Sequence, residues 1–379
     1  MSELSLHIVS FAIPDPPDYG GIIDVFYKIK HLAKAGVKIY LHCTQYDGRK
    51  PSAILEKWCE KVWYYPRHTG LSGISPTLPY IVYSRRSEEL LDNLLAIEAP
   101  VFFDGLSTAY YLHHPALSHR IKILRPQNVE QDYYSLLAKR TKNRIKRIYY
   151  QREATLLHRF ENKLHPIDAF FTVALHDHDF FKEKYPNALH EYLPSFQPYD
   201  AVNAQEGSGN YCLYHGNLSV EENEEAAMFL LKEVIPYVSV PFFLAGKNPS
   251  PALIQEAKKY AHCSLIVNPD SVKMEELITD AHIHVLPTFQ NTGLKLKLLH
   301  ALFHGRHVLV NDDMVHGTGL CSVCALANGA KQFIKKIKER MNVPFTAMEK
   351  TKRRDVLMQH YDNHKNAERV FTYLQRKSL

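Results

Sequence analysis

Two short apolar runs, HIHVLPTF (282–289) and RHVLVN (306–311), enclose the stretch NTGLKLKLLHALFHG (291–305), whose polar residues are spaced to receive an anion. Thr292 is placed to cap a helix, and Gly293 leaves the first backbone N–H groups uncovered, so the helix dipole favours negative charge there. At 3.6 residues per turn, Lys297, His300 and His304 share one face, with Leu294, Leu298 and Leu302 on another. Lys295 points about 160° away from Lys297 on a regular helix. Lys297 is therefore the better candidate for a diphosphate contact and Lys295 the lesser. The alternative for both is a lysine stem snorkelling out of a core helix. His300 offers either ring nitrogen to a hydroxyl partner.

Other residues can do chemistry with less specificity. Gly20 and Gly21 follow the apolar run LHIVSF (6–11) and open a helix, where bare N–H groups hold phosphate or simply make a tight turn. His113 and His114 follow VFFDG (101–105) and can serve as an acceptor-side base or a surface cap. Glu130 follows IKILRPQN (121–128) by two residues and suits an acceptor hydroxyl or a structural hydrogen bond. The nearest approaches to an Asp-x-Asp metal motif are DHD (177–179) and NDD (311–313). Acidic residues at such helix starts read as caps, so no metal is expected. Cys321 and Cys324 form a lone CxxC with no second pair, which reads as a small-residue packed helix rather than a zinc site.

These groups need elements to hold them. The 379 residues, 45% hydrophobic and 23% charged, exceed one compact core and predict two domains. No apolar run approaches the roughly 18 residues of a membrane-spanning helix. MSELSLHIVSF lacks a basic leader, so no signal peptide is expected. Six cysteines over this length make no disulfide framework, and the expected compartment is the cytoplasm. Apolar runs alternate with amphipathic stretches in two series, predicting an α/β chain of two Rossmann-like domains. Strands are expected at 6–11, 37–43, 61–65, 101–105, 121–125 and 169–174, with one long helix over about 133–164 before the last. The expected divisions are 1–196, a Pro/Gly/Ser-rich linker at 197–209, a second domain at 210–345 and a helical tail at 346–379. In such sheets ligands bind outside the carboxyl ends of the strands, here facing a cleft between domains.

The net charge of +6 is mild, but KRTKNRIKRIYYQR (139–152) holds seven basic residues and no acidic one. It reads as a solvated helix face, or as a patch for anionic lipid or a phosphorylated acceptor, giving peripheral contact with the inner face of a membrane. Nucleic acid is not an expected partner, because the basic excess is confined to one helix and no groove-reading motif is present.

TGLKLKLLHALFHGRHVLV resembles the donor-site segment of family 4 and related retaining glycosyltransferases of the GT-B fold (glycosyltransferase group 1). RPQNVEQDYYSLLAKRTKNRIKRIYYQREATLLHRFE is similar to the Asn-Val-Glu segment of that family and the helix after it. FFDGLSTAYYL, FFTVALHDHDFF, LYHGNLSVEENEEAA and FLAGK agree in order and spacing, and the resemblance runs from about residue 6 to 330. It implies an acceptor domain followed by a donor domain, with a tail helix packing back on the first. Gly216, Lys247, Thr292, Gly293, Leu294, Lys295 and His300 are then donor-binding, with Lys297, Glu130 and His113 catalytic. Val267 and Asn268 in IVNPDSV would read the base through their backbone. The two glutamates of the family motif fall on Thr292 and His300, so the second, which holds the donor ribose, is a histidine here. Gln127 and Ser107 stand at positions where relatives carry histidine, and an Arg/Lys pair that binds diphosphate is absent from GNLSVEEN.

The resemblance implies transfer of a sugar from a nucleoside diphosphate, with retention and without metal or other cofactor. The acceptor is a glycan, a lipid-linked or a protein-linked group, in surface polysaccharide or glycoconjugate synthesis. The alternative is a degenerate GT-B protein that binds nucleotide, glycan or a partner enzyme without turnover.

Overall fold

A computed structural model describes residues 4–290 and 295–377. Two compact units result: one holds the chain up to Pro198 and again from Tyr361, the other the described residues from Tyr199 to His360.

The first unit is built on seven strands, β1 (Ser5–Ser10), β2 (Lys38–Gln45), β3 (Lys61–Pro66), β4 (Val101–Asp104), β5 (Lys122–Arg125), β6 (Ala169–Thr172) and β7 (Leu189–Tyr192). They form one parallel sheet in the order β3-β2-β1-β4-β5-β6-β7. The second unit has β8 (Cys212–Asn217), β9 (Phe242–Lys247), β10 (Cys263–Val267), β11 (Ile283–Leu286), β12 (His307–Val310) and β13 (Ala325–Leu326), parallel in the order β10-β9-β8-β11-β12-β13. Each unit is thus a doubly wound, Rossmann-like α/β layer structure. Sheets covered by helices on both faces bury their central strands throughout, so β4, β6, β11 and β12 are buried at every position. The strand order reverses between β1 and β4 in the first unit and between β8 and β11 in the second. These are the switch points where open α/β sheets leave a crevice at their carboxyl ends.

Several expectations change. The single helix over about 133–164 is a hairpin of two, Glu130–Arg140 and Arg144–Glu161. Asn143 makes the break: its Oδ1 accepts from the Ile145 and Lys146 N–H groups at 2.9 and 3.1 Å, starting a new helix instead of continuing the old one. The segment expected as linker is tied down on both sides. Gln197 exchanges backbone bonds with the Asn363 side chain at 3.1 and 2.7 Å, whereas Asn203 and Ala204 donate to the Phe303 carbonyl. The changeover therefore falls at Pro198–Tyr199. The tail is two helices: Ala347–His360 belongs to the second unit, and Asn363–Lys377 to the first, where it packs on the helix Gly20–Lys34. GLCSVCALANGA is a single-turn 3-10 segment (Cys321–Val323) followed by β13, not a packed helix.

Candidate functional site

In the second unit the helix Leu296–His304 buries Leu298, Leu299, Ala301, Leu302 and Phe303 and leaves Lys297, His300 and His304 at its edge. Two devices hold its far end. Arg353 is buried and donates to the Leu302, Gly305 and Arg306 carbonyls, satisfying the end of the helix. Gly305 passes so close to His284 that a Cβ there would lie 2.0 Å from its Nε2, which excludes any other residue. The N-cap position belongs to Lys295, in extended conformation and without a side-chain cap. Thr292, read from sequence as the cap, lies outside the described residues together with Gly293 and Leu294.

Because Lys295 stands before the first helical turn, the expected 160° separation from Lys297 does not apply. Both lysines turn toward the helix Glu221–Phe229. Lys295 Nζ lies 3.6 Å from Glu222 Oε1. Lys297 Nζ donates to Asn223 Oδ1 at 2.7 Å and to the Tyr214 hydroxyl at 3.2 Å, and sits 5.1 Å above the Tyr214 ring. Asn223 is the hub: its Nδ2 donates to the Asn217 carbonyl at 2.8 Å, so one amide fixes the Lys297 amine at the carboxyl end of β8. Burial draws the Lys297 ammonium down to about 8, a shift opposed by Glu222 and assisted by the like charge of Lys295. Glu222 also accepts from Thr288 Oγ1 at 2.6 Å, and Asn311 pins both backbone groups of Thr288.

Gly216, next to last in β8, lies beside Asn223, with 3.4 Å between that side chain and a Cβ at Gly216. A Cβ on Gly246 would fall 1.9 Å from the Gly216 carbonyl oxygen, so β8 and β9 approach closely where both end. Lys247 is exposed at the next position. Val267 is exposed at the end of β10, but the Asn268 N–H is taken by the Gly246 carbonyl at 2.9 Å and its Oδ1 by the Asn248 N–H at 2.7 Å. Asn268, at φ +52°, is therefore a turn-former, and its N–H is not open to a base.

The two histidines a turn apart share one partner. His300 Nε2 lies 2.8 Å from Glu275 Oε2, and His304 Nδ1 meets the other carboxylate oxygen. Glu275 comes from the helix Ser271–Asp280. The Tyr199 ring stacks on His300 at 5.1 Å. The bond from His300 holds the Glu275 carboxyl below its ordinary range, against burial, while burial lowers His304. Tyr214, Asn223 and Glu275 were not singled out from sequence. Only the Asn in the first turn after GNLSVEE gave a local signal.

In the first unit, Gly20 and Gly21 form the first turn of the helix Gly20–Lys34, which has no side-chain cap, and the Phe11 ring lies against Gly21. Glu130 opens its helix and its N–H donates to Glu161 Oε1 at 2.8 Å. Its carboxyl is pushed up to about 7 by burial and by Asp177; burial carries Asp177 itself to about 7 and Glu161 to about 8. His113 is a correction. The 3-10 turn Leu106–Tyr111 carries the chain away from the carboxyl end of β4, and His113 settles against the Lys163 backbone and Lys122, at the amino end of the sheet. Asp177 lies in the first turn of the helix Leu175–Lys184 and Asp312 accepts from Asn328 at 2.7 Å. Among the described residues no group of three His, Cys, Asp or Glu side chains is arranged to hold a metal ion.

Sequence reading also missed a buried charge network at the ends of β4 and β5. Asp24 takes a two-point bond from Arg125, both contacts at 2.8 Å, and accepts from the Phe196 N–H at 2.7 Å. Lys28 binds Asp104 and Asp24, and Gln127 donates to Asp104 at 3.2 Å. Asp24, Lys28, Asp104 and Arg125 are fully buried.

Residues 209–341 match the family model of glycosyl transferases group 1. The chain is 23% identical over 330 residues to a Klebsiella pneumoniae protein described as an uncharacterized 44.6 kDa protein in the cps region, covering 82% of this chain and 84% of that one. Among solved structures, Anabaena Alr3699/HepE in complex with UDP and glucose is similar at a TM-score of 0.65 and 8% identity, covering 98% of this chain and all (100%) of that one. The pneumococcal O-GlcNAc transferase GtfA, in complex with UDP and GlcNAc, gives 0.61 at 8% identity and covers 99% of both chains. A Burkholderia xenovorans α,α-trehalose-phosphate synthase (UDP-forming), in complex with glucose-6-phosphate, gives 0.61 at 8% identity, covering 98% of this chain and 100% of that one. At these identities the structural likeness is one of fold.

Proposed function

We propose that the chain is a glycosyltransferase that moves a sugar from a nucleotide donor. Supporting this reading are the match of residues 209–341 to the model of glycosyl transferases group 1 and the two-Rossmann fold it shares with solved structures that hold UDP. The observation that carries the reading further is the Lys297 amine, fixed by Asn223 and Tyr214 at the end of β8 with Lys295 converging beside it. Two ammonium groups there meet the charge that builds on a departing diphosphate as the sugar becomes oxocarbenium-like. Gly216 lets the donor approach the strand end, Lys247 and Val267 border it, and the exposed Glu275 carboxylate held by His300 faces the ribose hydroxyls. Transfer proceeds with retention. Glu130, its carboxyl near neutrality, contacts the acceptor hydroxyl, and the Gly20-Gly21 turn is an uncapped helix start suited to a phosphate. His113 has no part. The acceptor is a glycan, lipid-linked or protein-linked group in surface polysaccharide or glycoconjugate synthesis, reached from the cytoplasmic side.

The test is a panel of nucleotide sugars screened by thermal shift and then by hydrolysis. Two of the solved structures similar in fold hold UDP, which makes UDP-sugars the first to try. A donor at 100 times its dissociation constant stabilises by about 2.7 kcal/mol. No shift with any nucleotide sugar would remove the donor site.

Positive side chains do the work that Mg²⁺ does in other transferases, so turnover is expected to survive EDTA. Loss of turnover in EDTA, restored by Mg²⁺ or Mn²⁺, would refute metal independence.

His300 is tested by two variants. His300→Leu removes one of the two histidines holding Glu275 and is expected to weaken donor binding by about tenfold, with the melting temperature nearly unchanged. His300→Gln, which keeps a hydrogen bond to the carboxylate, should bind nearly as the parent does. A glutamate at 300 would set two carboxylates against each other and is expected to weaken binding. Unchanged affinity in a stable His300→Leu protein would end the ribose assignment.

A further inference from the structure

The helical hairpin Glu130–Arg140 and Arg144–Glu161 carries a surface that sugar transfer does not use. Along its second helix, Ile145, Ile148 and Tyr149 begin an apolar stripe that is interrupted at Arg152 and Glu153 and resumes on the same face at Leu156, Leu157 and Phe160. The later members are buried in the first unit. Over the first two turns the stripe is uncovered: Ile145 is 81% exposed, Ile148 67% and Tyr149 39%. Lys139, Arg140, Lys142, Arg144, Lys146 and Arg147 stand exposed around them. The tip has a defined shape, because Asn143 caps the second helix and Arg147 donates to the Thr141 carbonyl at 3.0 Å. Between the helices lies a groove of about 800 Å³ lined by Lys139 and Arg147 near the tip and by Gln131, Asp132 and His158 near the base.

Isolated exposed apolar residues are ordinary, but two isoleucines on one helix face, ringed by six cations, are matched by a particular surface. An anionic bilayer supplies dense phosphate with an apolar layer directly beneath it, and basic amphipathic helices lie in that interface. We propose that the hairpin tip docks this protein on the surface of an anionic lipid bilayer. Ile145 and Ile148 enter the acyl boundary, the cations meet lipid phosphates, and Lys139 and Arg147 hold a headgroup at the mouth of the groove. No described helix is long and apolar enough to cross a membrane, so this is contact with one face.

The experiment is co-sedimentation of the full chain with vesicles of one part phosphatidylglycerol to two parts phosphatidylcholine, against phosphatidylcholine alone. No sugar donor is present, so the outcome does not depend on the reaction. Binding is expected only with the anionic lipid. It should fall as salt is raised, since the screening length shrinks from about 10 Å at 0.1 M to about 3 Å at 1 M. The double variant Lys142→Glu/Arg144→Glu should lose more than about 25-fold in partitioning, at about fivefold per cation. Ile145→Ser/Ile148→Ser should also weaken binding, while both variants melt as the parent does because the side chains are exposed. Equal binding to both vesicles, no binding to either, or parent-like binding of the charge-reversed protein overturns the proposal. Parent-like binding of the Ile145→Ser/Ile148→Ser protein overturns it too, because the isoleucines would then not enter the bilayer.

Discussion

Lys297→Ala is expected to weaken binding of a nucleoside diphosphate by about tenfold to a hundredfold while leaving the parent nucleoside unaffected. The lost contact is a charge-assisted hydrogen bond, of about 1.5–3 kcal/mol. If Lys297 also meets the charge that develops on the leaving diphosphate, kcat falls by about 10²–10³ as well. Lys297 sits at the helix edge, bonded to Tyr214 and Asn223 and near Glu222, and the variant is expected to keep the parent's fold. Its ammonium titrates near 8, so in the empty protein the charge is present at pH 7 and fades above pH 8. Diphosphate affinity should therefore decline through that range, and Lys297→Arg, which stays charged, should flatten the decline. The folded pKa of this lysine is depressed. The unfolded chain binds the extra proton between about pH 8 and 10, so this group alone raises stability as pH rises there. Calorimetry with UDP and uridine at several pH values reads all of these effects. Equal losses for nucleoside and diphosphate would take Lys297 out of the phosphate site.

Asp24→Ala is expected to destabilise the first unit by about 3–5 kcal/mol, because it strands Arg125 and part of the charge on Lys28 in a fully buried setting. The measurement is the urea midpoint of the first unit, followed separately from the second, since a chain of two units need not unfold in one step. A loss under about 1 kcal/mol would mean that Arg125 finds other partners in the Leu193 and Pro194 carbonyls it already touches. The pH dependence has two parts. Burial pushes the Asp24 carboxyl up, but Arg125 and Lys28 overcome it and hold it well below the usual range. Its stabilisation is present above about pH 4 and is lost as pH falls through the folded pKa. Glu130, Glu161 and Asp177 are raised to about 7, 8 and 7. The folded unit keeps their protons where the unfolded chain gives them up, so stability falls as pH climbs from about 4.5 to 8. The first unit should melt highest on the acid side of neutrality.

Much of the architecture was legible in the sequence because its central strands are buried on both faces and appear as continuous apolar runs. VFFDG, IKILR, AFFTVA and HIHVLP each announced a strand, and the amphipathic stretches between them announced the crossovers that parallel strands require. β7 (LHEY) and β13 (two residues) escaped, since neither is a continuous apolar run long enough to read as a strand. The helical break at Asn143 escaped because periodicity passes over a single capping residue.

By itself the sequence determined two α/β domains and placed Lys297, His300 and His304 along one helix edge, which follows from the 3.6-residue period alone. Only the tertiary structure decided what those side chains meet. Lys295 joins Lys297 because it is itself the N-cap, the helix beginning three residues later than a cap at Thr292 would start it. The paired histidines close on Glu275, a residue of the neighbouring helix 25 positions before His300. Asp24, on the helix after β1, and Arg125, at the end of β5, find each other across 101 residues. Local periodicity says which face a side chain occupies. The partner across that face is chosen by how distant segments pack, and no spacing along the chain records it.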